Sequence, residues 1–410
     1  MSDIDELIER LCSAGVEWRA IGDFAECVSG ATPKTRVSRY WDNGTIPWMS
    51  SGDVHKKVVG SVEGRITQEG YGSCSTHMLP AGTVVIALAG QGKTRGTVAI
   101  TDIELCTNQS LCGIVLSTSD ISPKFLYHFL SSQYAQLRAI SSGDGTRGGL
   151  NLGMIRAYKV PVPPMEVQEE IVRVLDSFTE LEAELEAELE ARRAQYAYYR
   201  DKLLDFGSRG GVRWMTLGEM GSFRRGKRFT ADDYVESGIG SIHYGEIYTK
   251  YGLSTEQCCS FLPTKMESRL RFAEKGELII AATGENAEEL CKSVVWFGAD
   301  RAAVHDDCYI FRSNENPKYI AHALLTNAVM RQKKMLISDG KVSRISGKSL
   351  GKILVPVPPL EEQQRIVAVL DEFDALVNDI SRGVPAEIEA RRKQYAYYRD
   401  KLLAFREKAA

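Results

Sequence analysis

EARRAQYAYYRDKLLDF (residues 190–206) and EARRKQYAYYRDKLLAF (389–405) are one sentence written twice, identical at 15 of 17 positions. Upstream of each, VPVPPMEVQEEIVRVLDSF (160–178) answers VPVPPLEEQQRIVAVLDEF (355–373). Apolar residues run from Met165 through Ile171, Leu175, Phe178, Leu181, Leu185 and Leu189 to Tyr196, Tyr199, Leu203 and Phe206. From Ile171 onward, steps of three, four and seven make one stripe along a helix, started sharply by the prolines of VPVPP. Forty-two residues would span roughly 63 Å at about 1.5 Å each, and such a stripe needs a partner. The second copy is the obvious one. The copies are 195 residues apart up to Asp176/Asp371 and 199 apart from Arg192/Arg391 onward. The first holds LEAELEAELEA, three leucines at i, i+4 spacing that read as a ruler. The second holds LVNDISRGVPAEIEA, where Gly383 and Pro385 predict a break or kink.

Between the repeats the halves diverge over a shared skeleton. VEWRAIGDF (16–24) matches VRWMTLGEM (212–220), and AGTVVIALAG (81–90) matches KGELIIAATG (275–284), both of the latter reading as buried strands. SPKFLYHFL (122–130) matches NPKYIAHAL (316–324), a capped helix with Pro at its first position. Gly-rich loops, GDGTRGGLN (143–151) and SDGKVSRIS (338–346), precede each VPVPP. The expected organisation is a short helical segment (1–15), an α/β (α+β) domain (16–159), a long helix (160–206), a second such domain (207–354) and a second helix (355–410). The two helices are expected to pair as an antiparallel coiled coil in a pseudo-twofold molecule.

Composition is that of an ordinary globular protein, 43% hydrophobic and 26% charged over 410 residues. No apolar run is long enough to span a membrane, and MSDIDELIER is not a signal peptide. Nine cysteines without a CxxC pair, two of them vicinal (Cys258, Cys259), argue against a disulfide framework or structural zinc and for the cytoplasm. The net charge of −3 hides a partition: residues 1–13 carry −3 and 165–206 carry −7, while 14–159 carry +3 and 207–354 carry +5. The divergent domains are therefore the parts suited to a polyanion.

No catalytic constellation emerges. ALAGQGKTRG (87–96) has the GKT of a phosphate loop, but Ala87 stands where its first glycine is required, and RGTVAIT continues as a strand. NPKY (316–319) reads as a helix cap, as SPKF does at the matching place. The six histidines lack metal spacing; His305-Asp306-Asp307 reads as a strand edge or turn, and Asp232–Asp233 as a solvated turn. What remains is basic residues interleaved with aromatics. The first domain offers Lys34, Arg36, Arg39, Tyr40, Lys56, Lys57, Lys93, Arg95 and Arg147; the second offers Arg224, Arg225, Lys227, Arg228, Tyr244, Lys250, Lys341 and Arg344. Such side chains neutralise phosphates and read base edges, and their recurrence in two divergent copies marks them as candidate contacts to double-stranded DNA.

The duplicated VPVPP-x-E-x-Q-x-x-I-V-x-x-L-D and RR-x-QYAYYRDKLL blocks, each behind a domain opening on V-x-W-x-x-[IL]-G, resemble the specificity subunits of type I restriction–modification systems. WDNGTIPWMSSGDV (41–54) is similar to their target-recognition domains, and the LEAE tract to the tetrapeptide repeats of the type IC branch, with Glu-Ala-Glu where a Thr-containing unit is usual. The resemblance implies a non-catalytic chain whose two domains each read half of a bipartite, asymmetric site while the helices fix the spacer. It implies two methyltransferase subunits docked on the helices, with translocase–nuclease subunits joining them. S-adenosylmethionine, ATP and Mg would belong to those partners, and no metal or cofactor to this chain. Tyr196, Tyr199, Leu203, Tyr395, Tyr398 and Leu402 are the expected docking residues. A stand-alone two-headed DNA-binding regulator, or an anti-restriction decoy, is the alternative.

Overall fold

The computed structural model describes residues 2–90, 92, 94–141, 149–207, 211–284, 290–337, 343–378 and 383–408. The chain forms two compact units, residues 1–183 with 390–410, and residues 184–389. Both are mixed α/β.

In the first unit the VEWRA segment pairs with VPVPP: strand Glu17–Ala20 lies antiparallel to Lys159–Val162, with Trp18 opposite Pro161. A five-stranded sheet follows in the order Ala25–Ser29, Leu111–Leu116, Val84–Ala87, Val98–Thr101, Val58–Val59, all neighbours antiparallel except the last. Its central strand reads VVIA without a polar residue because both faces are covered, and all four side chains are buried. The second unit repeats this. Arg213–Thr216 pairs with Leu354–Val357, Trp214 opposite Pro356. Its five strands run Gly221–Arg225, Cys308–Ser313, Leu278–Ala281, Ser293–Trp296, Ser254–Thr255, again with only the last pair parallel. Each unit adds a smaller mixed sheet, centred on Ile46–Met49 or on Ile239–Ile242.

The SPKF and NPKY segments are helix starts. Ser122 accepts the Phe125 amide, Asn316 accepts those of Lys318 and Tyr319, and proline takes the first helical position in both. Tyr319 is buried with its hydroxyl donated to the Pro356 carbonyl. ALAGQGKTRG starts at the last residue of strand Val84–Ala87 and ends before its antiparallel neighbour Val98–Thr101; residues 91 and 93 within it lie outside the described residues.

The first long helix is unbroken from Met165 to Leu203. The second runs Leu360–Asn378 and resumes at Gly383–Leu402. Gly383 has φ of +73°, and a Cβ there would lie 2.7 Å from the Leu376 carbonyl oxygen, so only glycine fits. Within the first unit Phe178 stacks on Tyr398 at 5.5 Å and Glu182 pairs with Arg392 at 2.7 Å. Rising numbers meet falling ones, so these two helical segments run antiparallel. Within the second unit Phe373 stacks on Tyr199 at 5.4 Å and on Tyr196 at 6.5 Å.

Candidate nucleic-acid interface

Two kinds of functional side chain emerge: basic residues on the divergent loops, and a buried polar cluster that recurs in both units.

In the first unit the loop carrying Lys34, Arg36 and Arg39 is held from behind by two tryptophans. Trp41 donates to the Lys34 carbonyl at 3.2 Å, Trp48 donates to the Ala31 carbonyl at 3.0 Å, and their rings meet edge to face at 5.2 Å. Gly30 allows the loop to press on Thr107, whose carbonyl oxygen would lie 1.7 Å from an added Cβ. Lys34 and Arg36 are exposed, and no carboxylate among the described residues pairs with either. Arg39 is exposed but bound to Glu69 at 2.9 Å, its guanidinium over the half-buried Tyr40 ring. Lys56 and Lys57 end a 3₁₀ turn, Ser51–Lys56. Lys56 is anchored on Asp53 at 2.9 Å and on the Ser61 carbonyl, and Lys57 lies 3.8 Å from Glu182. Burial pushes the Asp53 carboxyl up, but hydrogen bonds from Lys56 and Ser50 outweigh it and hold the group below its ordinary value. His55 meets Thr94 at 3.3 Å and Arg138 donates to the Gly92 and Arg95 carbonyls, so the turn and the hairpin tip with Arg95 form one patch. Lys93 and Arg147 lie outside the described residues.

In the second unit Gly226 carries the FRRGKRF segment across His305, where a Cβ would stand 2.1 Å from the carbonyl oxygen. Phe229 is buried edge-on against the His305 ring at 4.8 Å, which leaves Lys227 and Arg228 exposed between two fixed points. Arg224 is held by a buried acid. Glu277, 3% exposed, takes its guanidinium through both carboxylate oxygens at 2.8 and 2.6 Å, so this arginine neutralises a buried acid and is not a free cation. Arg225 donates to the Asp306 carbonyl at 2.7 Å. His305, Asp306 and Asp307 form the expected turn: His305 Nε2 meets the Phe229 carbonyl at 3.0 Å and Nδ1 faces the Asp307 amide at 3.2 Å. Arg344 is exposed on a short strand paired with Thr283, whose hydroxyl reaches Asp307 at 3.1 Å; the end of the Gly-rich loop thus joins this cluster. Tyr244 is half-buried at the start of helix Tyr244–Thr249, and Lys250 is exposed just past its end. Lys341 lies outside the described residues.

The recurring cluster was not anticipated. In the first unit His128, 1% exposed, lies 2.9 Å from Asp176 and 3.3 Å from the Tyr395 hydroxyl, while Lys124 holds the other Asp176 oxygen at 2.6 Å. In the second, His322, fully buried, lies 3.5 Å from Asp371 and 3.2 Å from the Tyr196 hydroxyl, with Lys318 on Asp371 at 2.8 Å. Burial pushes both aspartates up, and bonds from the histidine and lysine more than offset it, leaving each carboxyl below its ordinary value. Each domain is thereby latched to a tyrosine from the tail of the other repeat.

The expected docking residues differ in exposure. Tyr196 and Leu402 are buried, Leu203, Tyr395 and Tyr398 are partly buried, and Tyr199 is 37% exposed. The tyrosines that face outward are Tyr198 (59%) and Tyr397 (65%), at corresponding positions of the repeat.

A family model described as the type I restriction modification DNA specificity domain matches residues 14–191 and again 211–390. The chain belongs to this family. It is 29% identical to the specificity subunit of the Escherichia coli type I restriction enzyme EcoR124I/EcoR124II, over 99% of this chain and 98% of that one. It is 28% identical to a putative type I restriction enzyme specificity subunit of Haemophilus influenzae, over 98% of each. Among solved structures, the S subunit from M. genitalium superposes with a TM-score of 0.51 at 18% identity, covering 95% of this chain and 96% of that one. A chain from a study of complex assembly and conformational transition in the type I R-M system gives 0.61, also at 18% identity, covering 95% and 97%. These likenesses support the fold. No helix among the described residues is long and apolar enough to cross a membrane.

Proposed function

We propose that this chain is the DNA-recognition subunit of a type I restriction–modification complex, each unit reading one half of a bipartite, asymmetric site. The observation that carries the reading is one framework with two different basic faces: the sheet order and the His–Asp–Tyr latch recur, while the exposed cations do not. Lys34 and Arg36 in one unit, and Lys227, Arg228 and Lys250 in the other, are exposed and, among the described residues, paired with no carboxylate. A cation so placed can give its full charge to a phosphate or a base edge.

In this reading the helices pair as an antiparallel coiled coil in a pseudo-twofold chain, fixing the unread spacer, and methyltransferase subunits dock at the outward Tyr198 and Tyr397. The chain itself is non-catalytic. S-adenosylmethionine, ATP and Mg belong to the methyltransferase and translocase–nuclease partners, and the complex works in the cytoplasm. The buried cysteines fit a chain without thiol chemistry: burial raises Cys106 to about 11 and Cys291 to about 12.

The test is co-expression with a cognate methyltransferase subunit, followed by mapping of N6-methyladenine. One bipartite motif that vanishes when this chain is omitted supports the proposal; a stable complex with no methylation overturns it. A second test uses the ruler. One added LEAE unit lengthens a helix by about 6 Å and turns it about 40° past a full turn, close to a base-pair step of about 3.4 Å and 36°. The spacer should grow by about one base pair with both half-sites unchanged.

A further inference from the structure

The two units build one turn from different residues. Thr107-Asn108-Gln109-Ser110 leads into strand Leu111–Leu116, and Val304-His305-Asp306-Asp307 leads into Cys308–Ser313. In the first, Asn108 Oδ1 accepts the Ser110 amide at 3.0 Å, and the Leu111 amide donates to the Asn108 carbonyl at 3.3 Å. In the second, His305 Nδ1 accepts the Asp307 amide at 3.2 Å, and the Cys308 amide donates to the His305 carbonyl at 3.0 Å. Each tip is pinned by the residue just before the crossing glycine. The Ser29 hydroxyl donates to the Gln109 carbonyl at 3.2 Å, and Arg225 Nε donates to the Asp306 carbonyl at 2.7 Å. Gln109 and Asp306 thus hold the same place on the same backbone.

Their side chains offer opposite chemistry. The Thr32 hydroxyl donates to Gln109 Oε1 at 2.5 Å, and the exposed amide keeps its Nε2 amino group unbonded among the described residues. It presents a donor. The Asp306 carboxylate accepts no hydrogen bond among the described residues. Arg225 stands 3.7 Å from it, and His305 Nε2, which serves the Phe229 carbonyl, stands 3.3 Å away. It presents an acceptor beside the exposed Lys227 and Arg228. A carboxylate in that place repels a phosphate. What suits it on a duplex is an exocyclic amino group, as cytosine presents, whereas a free amide NH2 suits the acceptor edge that guanine presents.

We propose that Gln109 and Asp306 are base-reading residues at matching positions of the two half-sites, Gln109 contacting a base by its acceptors and Asp306 a base by its amino group. This inference rests on the reading of both units as DNA-recognition domains. It adds which side chains choose a base rather than hold a phosphate. One turn with a donor at its tip in one unit and an acceptor in the other makes the site asymmetric at corresponding positions.

The test is the N6-methyladenine map of the full chain co-expressed with its methyltransferase subunit, wild type against four single variants. Asp306→Ala should lower discrimination about tenfold at one position of one half-site, and leave the other half-site and the spacer intact. Gln109→Ala should do likewise in the opposite half-site. Asp306→Asn adds a donor and should admit a base with an acceptor edge. Gln109→Glu exchanges donor for acceptor and should replace the acceptor base by one bearing an amino group. Thermal unfolding of each variant complex shows that it is folded, and where an alanine variant fails to fold its isosteric variant decides. Unchanged motifs, changes spread over both half-sites, or loss of all methylation from a folded complex overturns the inference and leaves the DNA-recognition reading standing. A wild-type complex that yields no bipartite motif overturns both.

Discussion

The two units share their buried polar cluster and differ in their exposed cations. His128 and Asp176 meet at 2.9 Å, whereas His322 and Asp371 stand 3.5 Å apart, yet histidine, aspartate, lysine and cross-repeat tyrosine are the same in both. By contrast, the Lys34–Arg39 loop is held by paired tryptophans, and the 223–229 segment by a glycine crossing and a buried phenylalanine. A latch that must hold a domain to a helix has one good chemical solution, which both copies keep. A surface that must read different sequences needs different scaffolds behind it.

The comparison can be broken most forcefully in the cores. Ile86 and Ile280 occupy corresponding central strands and are fully buried. Replacing either by alanine should cost about 2–5 kcal/mol, to be read as a shift in chemical denaturation. Unequal costs would show that the shared sheet order hides unequal packing. Next come the latches: Asp176→Ala leaves His128 and Lys124 without their acceptor and should cost about 1–3 kcal/mol. Asp371→Ala should cost less, because its histidine contact is longer.

Acid sharpens the same contrast. Both aspartates have carboxyls held below their ordinary value in the fold. Their contribution is therefore fully present above the unfolded value, about 3.9, and is lost as pH falls through the lower folded value. Asp→Asn variants should flatten the stability curve below about pH 4 and leave its shape near pH 7 unaltered. Smallest of all are Tyr395→Phe and Tyr196→Phe, each removing one hydroxyl bond, for about 1 kcal/mol.

The fold was largely legible in the repeat. Two copies of V-x-W and VPVPP pair with each other in both units, the SPKF and NPKY caps form, and Gly383 interrupts the second helix. The exposed surface was less legible. Helical periodicity finds a stripe of Tyr196, Tyr199 and Leu203, but a helix pressed on both a partner helix and a domain buries more than one stripe, so periodicity alone does not say that Tyr198 and Tyr397 are the exposed tyrosines. Arg224 read as a free cation because Glu277 is 53 residues away and reaches it only across the sheet. The latch did leave a signal. SPKFLYHFL and NPKYIAHAL carry lysine and histidine at matching places, and the aspartate of VLD recurs as Asp176 and Asp371. A polar set repeated inside otherwise apolar segments is what a buried network looks like in sequence.

The most direct measurement is the N6-methyladenine map of a complex in which Lys227 and Arg228 are both alanine. If each unit reads its own half, one half-site is lost or relaxed while the other half-site and the spacer length stay as they were. Both halves changing together, or neither changing, would contradict the division of labour between the two units.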